Sequence, residues 1–327
     1  MTQKQSKKRK IQKSKTSKSV GEVSLVLKKG DIVDIVAPGF STSQSHLEAA
    51  IEFVKKIGLV PRVPNPIFGD DVVCSHRDEV RLQHLQKALA AKDSKVIWCI
   101  RGGYGAIRLI EKFAATKKPL KPKLFIGYSD ACTIHNFLNQ FWKWPSLHGP
   151  LLDRLGQQTL PTTQVDELVD LLFGRREEFL FPHLIGLNAA ARLNKTISGR
   201  VVGGNLTVTH SLLGTRFMRP PQGQILFFED TGERGYRVDR MLKQLQMAGY
   251  FKKTLAVLFG EFVGGHEPSG ENKVPHVLKR FAEEMKIPVL AGMPVGHGDQ
   301  QRPLPLFTRA ELQLGLKAQL KVRSPFE

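Results

Sequence analysis

Read for its apolar rhythm, the chain from residue 31 onward alternates short, continuously apolar runs with amphipathic ones. DIVDIVA (31–37) ends at Pro38-Gly39 and predicts a strand followed by a loop. SQSHLEAAIEFVKKIG then spaces Leu47, Ile51, Val54 and Ile57 at helical intervals and stops at Gly58, as a helix should. LVPRV returns as strand, residues 64–75 form a loop, DEVRLQHLQKALAA is a second helix and KVIWCI a third strand. RGGYGAIRLIEKF is a glycine turn opening a helix, and KLFIGYSDACTIHNFL (123–138) passes from a strand over Leu124–Gly127 abruptly into a helix over Thr133–Leu138. Four strands alternating with helices predict parallel β-α-β units, whose functional loops lie at the carboxyl ends of the strands.

WKWPSLHGPLL adds one more strand and a proline-glycine loop. From 153 to 195 the rhythm weakens to one helix around Thr163–Phe173 and an irregular stretch up to Lys195. It resumes with ISGRVVGGNL as strand, a helix through Leu213, QILFFED as strand, and YRVDRMLKQLQMAG, a helix with Val238, Met241, Leu242 and Leu245 on one face. LAVLFGEF is a strand, VPHVLKRFAEEMK a helix and IPVLAGMPVGHG a strand running into a glycine loop; PLPLFTRAELQLGLKAQLKV closes the chain in hairpin-like alternation. No internal repeat is evident, so the pattern predicts two distinct α/β domains, over 20–155 and 196–327, joined by a crossing segment over 156–195 and preceded by a tail over 1–19.

Composition changes this picture in two places. A length of 327 with 41% hydrophobic residues suffices for real cores and excludes a disordered chain. The net charge of +19 points first to nucleic acid, but residues 1–19 hold eight Lys or Arg and no acid, leaving 41 basic against 30 acidic residues elsewhere. Apart from Met1 and Ile11 that tail has no apolar residue, so it is expected to be disordered. It can serve an anionic partner, nucleic acid or lipid surface, or be a solvated appendage. VGEVSLVL is interrupted by Glu22 and followed by Lys28 and Lys29, which excludes a signal peptide, and no run approaches the ~20 apolar residues of a membrane span. Three widely spaced cysteines, Cys74, Cys99 and Cys132, form no disulfide framework and fit a reducing cytoplasm, with Cys132 a small buried hydrophobe.

Three strand ends carry groups suited to acyl transfer. Gly-Tyr-Ser-Asp at the sharp strand-to-helix corner matches a nucleophile elbow with Ser129 at its tip, although position 131 is Ala where G-x-S-x-G has Gly, and Ser and Asp are also ordinary helix N-caps. Glu229 follows ILFF and His297 follows PVLAGMPVG. A serine hydroxyl needs a base within reach, and an imidazole needs a carboxylate to hold its tautomer. His266 is a rival base, Asp230 and Glu233 are rival acids, and His135 on the helix after the elbow reads as a packing residue. Oxyanion donors are expected from the backbone N–H groups of Asp130 and of Gly103 in RGGYG. Neither G-x-G-x-x-G nor a Walker pattern occurs, and H-E-x-x-H and paired C-x-x-C are absent, so neither cofactor nor metal is expected.

Taken in order, IRGGYGAIRLI, FIGYSD, LHGPLL, GGNLTVTHSLLGT, ILFFEDTGERGYRVDRMLKQL and VGHGD followed by LPLF resemble the motifs of the LD-carboxypeptidases, serine peptidases that include murein tetrapeptide carboxypeptidases and microcin-immunity peptidases. The resemblance spans roughly residues 30 to 322. It implies an N-terminal open, flavodoxin-like parallel-sheet domain and a C-terminal α/β domain with the site at their interface. It also implies a triad of Ser129, Glu229 and His297, the Gly103 and Asp130 oxyanion donors, and a homodimer. The activity implied is removal of terminal D-alanine from peptidoglycan tetrapeptides at an L-centre, in cell-wall recycling. Two alternatives stay open, a microcin-immunity-type peptidase acting on aminoacyl-nucleotide conjugates and an inactive hydrolase fold that binds nucleic acid. The Lys-rich extension before Val20 departs from the family pattern.

Overall fold

Strands that are apolar at nearly every position need cover on both faces, and the first sheet is built that way. In the computed structural model, which describes residues 26–326, β1 (Ile32–Val36), β2 (Val60–Arg62), β3 (Ser94–Cys99), β4 (Leu124–Gly127) and β5 (Ser146–His148) run parallel in the order 2-1-3-4-5. This is the flavodoxin-like order. Successive side chains leave opposite faces: Val33, Ile35, Val96, Trp98, Leu124 and Ile126 enter one core, Val36, Ile97, Cys99 and Phe125 another. Helices α1 (Gln44–Lys56), α2 (Asp78–Ala90), α3 (Ala106–Ala114) and α4 (Cys132–Phe137) alternate with these strands, and α5 (Leu152–Gly156) and α6 (Thr162–Leu172) lead out of the sheet. The basic stretch 1–19 lies outside the described residues.

The second half contributes β6 (Glu178–Phe181), β7 (Ile185–Gly186), β8 (Thr196–Asn205), α7 (Leu206–Ser211), β9 (Ile225–Thr231), α8 (Gly235–Met247), β10 (Ala256–Val263), α9 (Val274–Glu284), β11 (Val289–Ala291), β12 (Leu304–Leu306), β13 (Arg309–Gln313) and β14 (Gln319–Arg323). Its sheet has the order 6-14-13-8-9-10-11-7, parallel from β8 to β11 and antiparallel at both margins. The chain is therefore a two-domain α/β fold. The stretch expected to be irregular up to Lys195 holds β6 and β7, which edge this sheet on opposite sides. Both strands are short and pair with β14 and β11, far along the chain, so no local pattern marks them. β12 also crosses between the halves, pairing antiparallel with β5 through Leu304 and His148.

One apolar core runs beneath both sheets, joining Val33, Trp98 and Ile126 to Val201, Ile225, Phe227, Leu258 and Leu290. Near the amino ends of β3 and β4, the buried Asp34 accepts from Ser94 Oγ and Arg62, and Lys123 Nζ donates to Ser94 Oγ at 2.6 Å. Burial lowers the Lys123 ammonium pKa, and Asp34, 3.6 Å away, is the carboxylate facing it. Removing that carboxylate strands a buried cation. Asp34→Ala is expected to cost about 3 kcal/mol or more in urea unfolding, whereas a surface change such as Glu52→Ala costs under ~1 kcal/mol.

Candidate active site

β4 ends at Gly127, and two residues later Ser129 has φ 61°, a left-handed conformation that residues with a Cβ seldom adopt. So sharp a corner needs small neighbours. A Cβ on Gly127 would lie 3.0 Å from Ala131 Cβ and 3.2 Å from Cys99, so the alanine where G-x-S-x-G has glycine fits because its opposite number is Gly127. His135, wholly buried, ties the corner down: Nδ1 meets Ser146 Oγ and Nε2 meets the Gly127 carbonyl, each at 2.8 Å. Burial pushes its pKa down to about 3, so the ring is neutral.

The glycine loop after β3 lies against the serine. A Cβ on Gly102 would come within 2.8 Å of Ser129 Cβ and 3.0 Å of its Oγ. The Gly102 carbonyl accepts from Phe40 N–H at 2.9 Å. In a trans peptide the following N–H points the other way, so Gly103 N–H is turned from the Phe40 loop, and it donates to no acceptor among the described residues. Asp130 joins corner and loop. Gly105, the N-cap of α3, has no side chain, and the buried Asp130 carboxylate accepts from Ala106 N–H at 2.8 Å in its place. Burial pushes that carboxyl up to about 6 against the pull of this bond.

Period-two alternation decides which acid of β9 faces the first domain. Ile225 and Phe227 enter the core shared by the sheets, Leu226 and Phe228 the core beneath α8. Glu229 therefore points toward the first sheet, wholly buried, and Asp230 away from it. Asp230 caps α7, accepting from Thr207 N–H and Oγ–H at 2.8 Å each, and burial with Glu229 alongside raises its pKa to about 6. Of the other rivals, Glu233 pairs with Arg237 at 3.5 Å and His266 is exposed on the loop after β10.

His297 stands on the loop after β11, and its Nδ1 lies 2.6 Å from Glu229 Oε2. Neighbouring bonds hold the loop: Gln301 Nε2 donates to Gly296 O at 3.1 Å, and Gly298 N–H to Glu261 Oε2 at 3.0 Å. The imidazole reaches the corner from the second domain, edge-on to the Tyr128 ring with centroids 4.6 Å apart. Ser129 and His297 themselves share no hydrogen bond among the described residues. Burial works against charge on both partners, yet each outweighs it for the other. Glu229 is held down at about 2, with His148 also facing it, and the His297 pKa lies above its ordinary value.

A strained serine between glycine-bearing loops, with an imidazole–carboxylate pair brought from a second domain, is an arrangement capable of acyl transfer. Among the described residues no group of three or more His, Cys, Asp or Glu is placed to hold a metal, and no helix is long and apolar enough to cross a membrane. Residues 33–149 match the N-terminal domain of LD-carboxypeptidases and 198–312 the C-terminal domain. A putative carboxypeptidase of Rickettsia prowazekii is 33% identical over 81% of this chain and 83% of its own. The chain belongs to the LD-carboxypeptidase family. The crystal structure of muramoyltetrapeptide carboxypeptidase from Oxalobacter formigenes is similar, with TM-score 0.75, 28% identity and coverage of 88% of this chain and 98% of that one. The microcin C7 self-immunity protein of Escherichia coli is 26% identical over 86% of this chain and 89% of its own.

Within this LD-carboxypeptidase framework the structure adds residues to which sequence reasoning assigned no role. Gly102 presses on the serine, Glu261 fixes the histidine loop, and His148, quoted only as part of LHGPLL, is buried beside Glu229. A histidine inside an apolar strand was the one available signal for the last. Gly102 does not have positive φ, so an added methyl group tests the contact alone. Gly102→Ala is expected to leave the fold intact and lower kcat by about 10²-fold through displacement of Ser129, read by steady-state hydrolysis beside circular dichroism.

Proposed function

We propose that the chain is a serine LD-carboxypeptidase that releases terminal D-alanine from peptidoglycan tetrapeptides, with Ser129, Glu229 and His297 as its triad. The observation that carries this reading is the 2.6 Å His297–Glu229 pair seated against the residue preceding Ser129. Similarity to a muramoyltetrapeptide carboxypeptidase supports the substrate class. Ser129 Oγ attacks the carbonyl carbon at the L-centre while His297 Nε2 takes its proton, and Glu229 stabilises the imidazolium. Gly103 and Asp130 N–H groups donate to the oxyanion. His297 then hands its proton to the leaving amine of D-alanine, and a water molecule, deprotonated by the same imidazole, releases the acyl group. A cytoplasmic homodimer acting in cell-wall recycling completes the proposal; three free, buried cysteines suit a reducing compartment.

Mass spectrometry of murein tetrapeptide incubated with the pure protein tests the reading. Wild-type chain is expected to yield tripeptide and D-alanine, and Ser129→Ala neither, at unchanged fold; turnover by that variant overturns the assignment. Running an aminoacyl-nucleotide conjugate in parallel separates the peptidoglycan reading from a microcin-immunity activity. The pH profile tests the base. Because His297 must be neutral to accept a proton and its pKa is raised, kcat/KM is expected to climb with pH through a midpoint above 6.5. Glu229→Gln removes the charge that raises it, so the midpoint is expected to fall while kcat drops ~10²–10⁴-fold.

A further inference from the structure

Glu229 has two carboxylate oxygens, and His297 takes only one of them. The other, Oε1, is buried without a hydrogen-bond partner and faces His148 Nε2 at 3.7 Å. His148 is wholly buried too, and both its ring nitrogens are unpartnered. Orphaned polar atoms are costly in an interior, and a displacement of about 0.7 Å brings this pair within bonding distance. The ring sits in a fitted slot. Tyr128 and Phe227 pack on it with centroids at 5.7 and 5.5 Å, and a Cβ on Gly204 would lie 3.4 Å from its Cδ2.

We infer that His148 is a positioning residue for the proposed acyl transfer: its Nε2–H donates to Glu229 Oε1, so that the buried carboxylate is clasped by two imidazoles, one from each domain. This rests on the triad reading of Ser129, Glu229 and His297. The contact crosses the domain seam, from β5 in the first sheet to β9 in the second. It sets the carboxylate plane so that Oε2 meets His297 Nδ1. It also draws carboxylate charge toward His148 and away from His297. The other charged groups acting on His297 are Asp230 behind Glu229, which favours the imidazolium, and Arg154 of α5, which opposes it; Glu261 of β10 holds the adjacent Gly298 N–H.

The test uses the full chain. His148→Phe keeps a ring without a donor, His148→Gln keeps an N–H near the Nε2 position, and His148→Asn moves it toward the Nδ1 position. NMR titration of the His297 imidazole needs no substrate. In the Phe and Asn variants the His297 midpoint is expected to move to higher pH, because Glu229 loses its second donor, while the Gln variant stays near wild type. Turnover should follow, with kcat about 10-fold lower in Phe and Asn at nearly constant KM, and rescue by Gln. If His148→Phe does not fold, the Gln and Asn pair decides alone. Equal His297 midpoints in all folded variants, or equal losses in Gln and Asn, overturn the inference. Should wild-type protein leave both murein tetrapeptide and the aminoacyl-nucleotide conjugate uncleaved while the midpoint shifts as stated, the acyl-transfer reading falls and the His148 contact stands.

Discussion

A carboxylate with no exposed surface sits where two sheets meet, and much of the molecule around it answers to that constraint. Taking Glu229 out of water costs several kcal/mol unless donors face it, so an ionised acid there demands imidazoles at fixed places. His297 supplies one at 2.6 Å, and supplying it requires the loop after β11 to be tied by Glu261 and Gln301. His148 stands on the other side, in contact with Gly204, where an added Cβ would clash with Cys132 Sγ and lie 3.4 Å from the His148 ring. Neither domain contains this constellation alone.

The Ser129 side obeys a different rule, close approach of backbone. Ser129 takes a left-handed backbone conformation, and the strain is tolerated because Gly127, Ala131, Gly102 and Gly39 leave room around it. A Cβ on Gly39 would lie 2.9 Å from Asp130 Oδ2 and nearer still to the Gly102 carbonyl, so three loops meet here without side chains between them. Arg81, wholly buried, donates to the Pro38 and His76 carbonyls and pairs with Asp78, holding the outermost of these loops against the others. The glycines bring the loops together, and the buried polar groups Asp130 and Arg81 keep them there.

The parallel strands and their helices were legible because each is a local run: LFIG, ILFFED and the amphipathic stretches between them carry their own signal. Short margins were not. β6, β7 and β12 hold two to four residues apiece and gain stability from partners far along the chain, which no window of sequence contains. Candidate acids at the end of β9 could be named from the residues, and the family resemblance pointed to Glu229, but the physical reason for Glu229 over Asp230 is the phase of the alternation. In a strand apolar on both faces that phase has no marker. His148 was hidden for a different reason: its meaning lies in a contact between domains, and a histidine in an apolar strand was its only local sign.

A site divided between domains is often assembled by hinge closure, since interfaces within a chain are commonly polar and mobile. Here the arrangement argues for a site largely formed beforehand. The apolar core passes without interruption from Ile126 under β4 to Phe227 under β9, and β12 carries the second half of the chain into the first sheet beside His148. Sliding one domain on the other would expose that core and break the β5–β12 ladder. What can move cheaply is smaller: a carboxylate plane, an imidazole, the glycine-flanked loop at His297. The gap left in the structure between His148 and Glu229, 3.7 Å, is of that scale. Preorganised dipoles aimed at a developing charge contribute most when little must reorganise, and a continuous core beneath the site restricts that reorganisation to side chains.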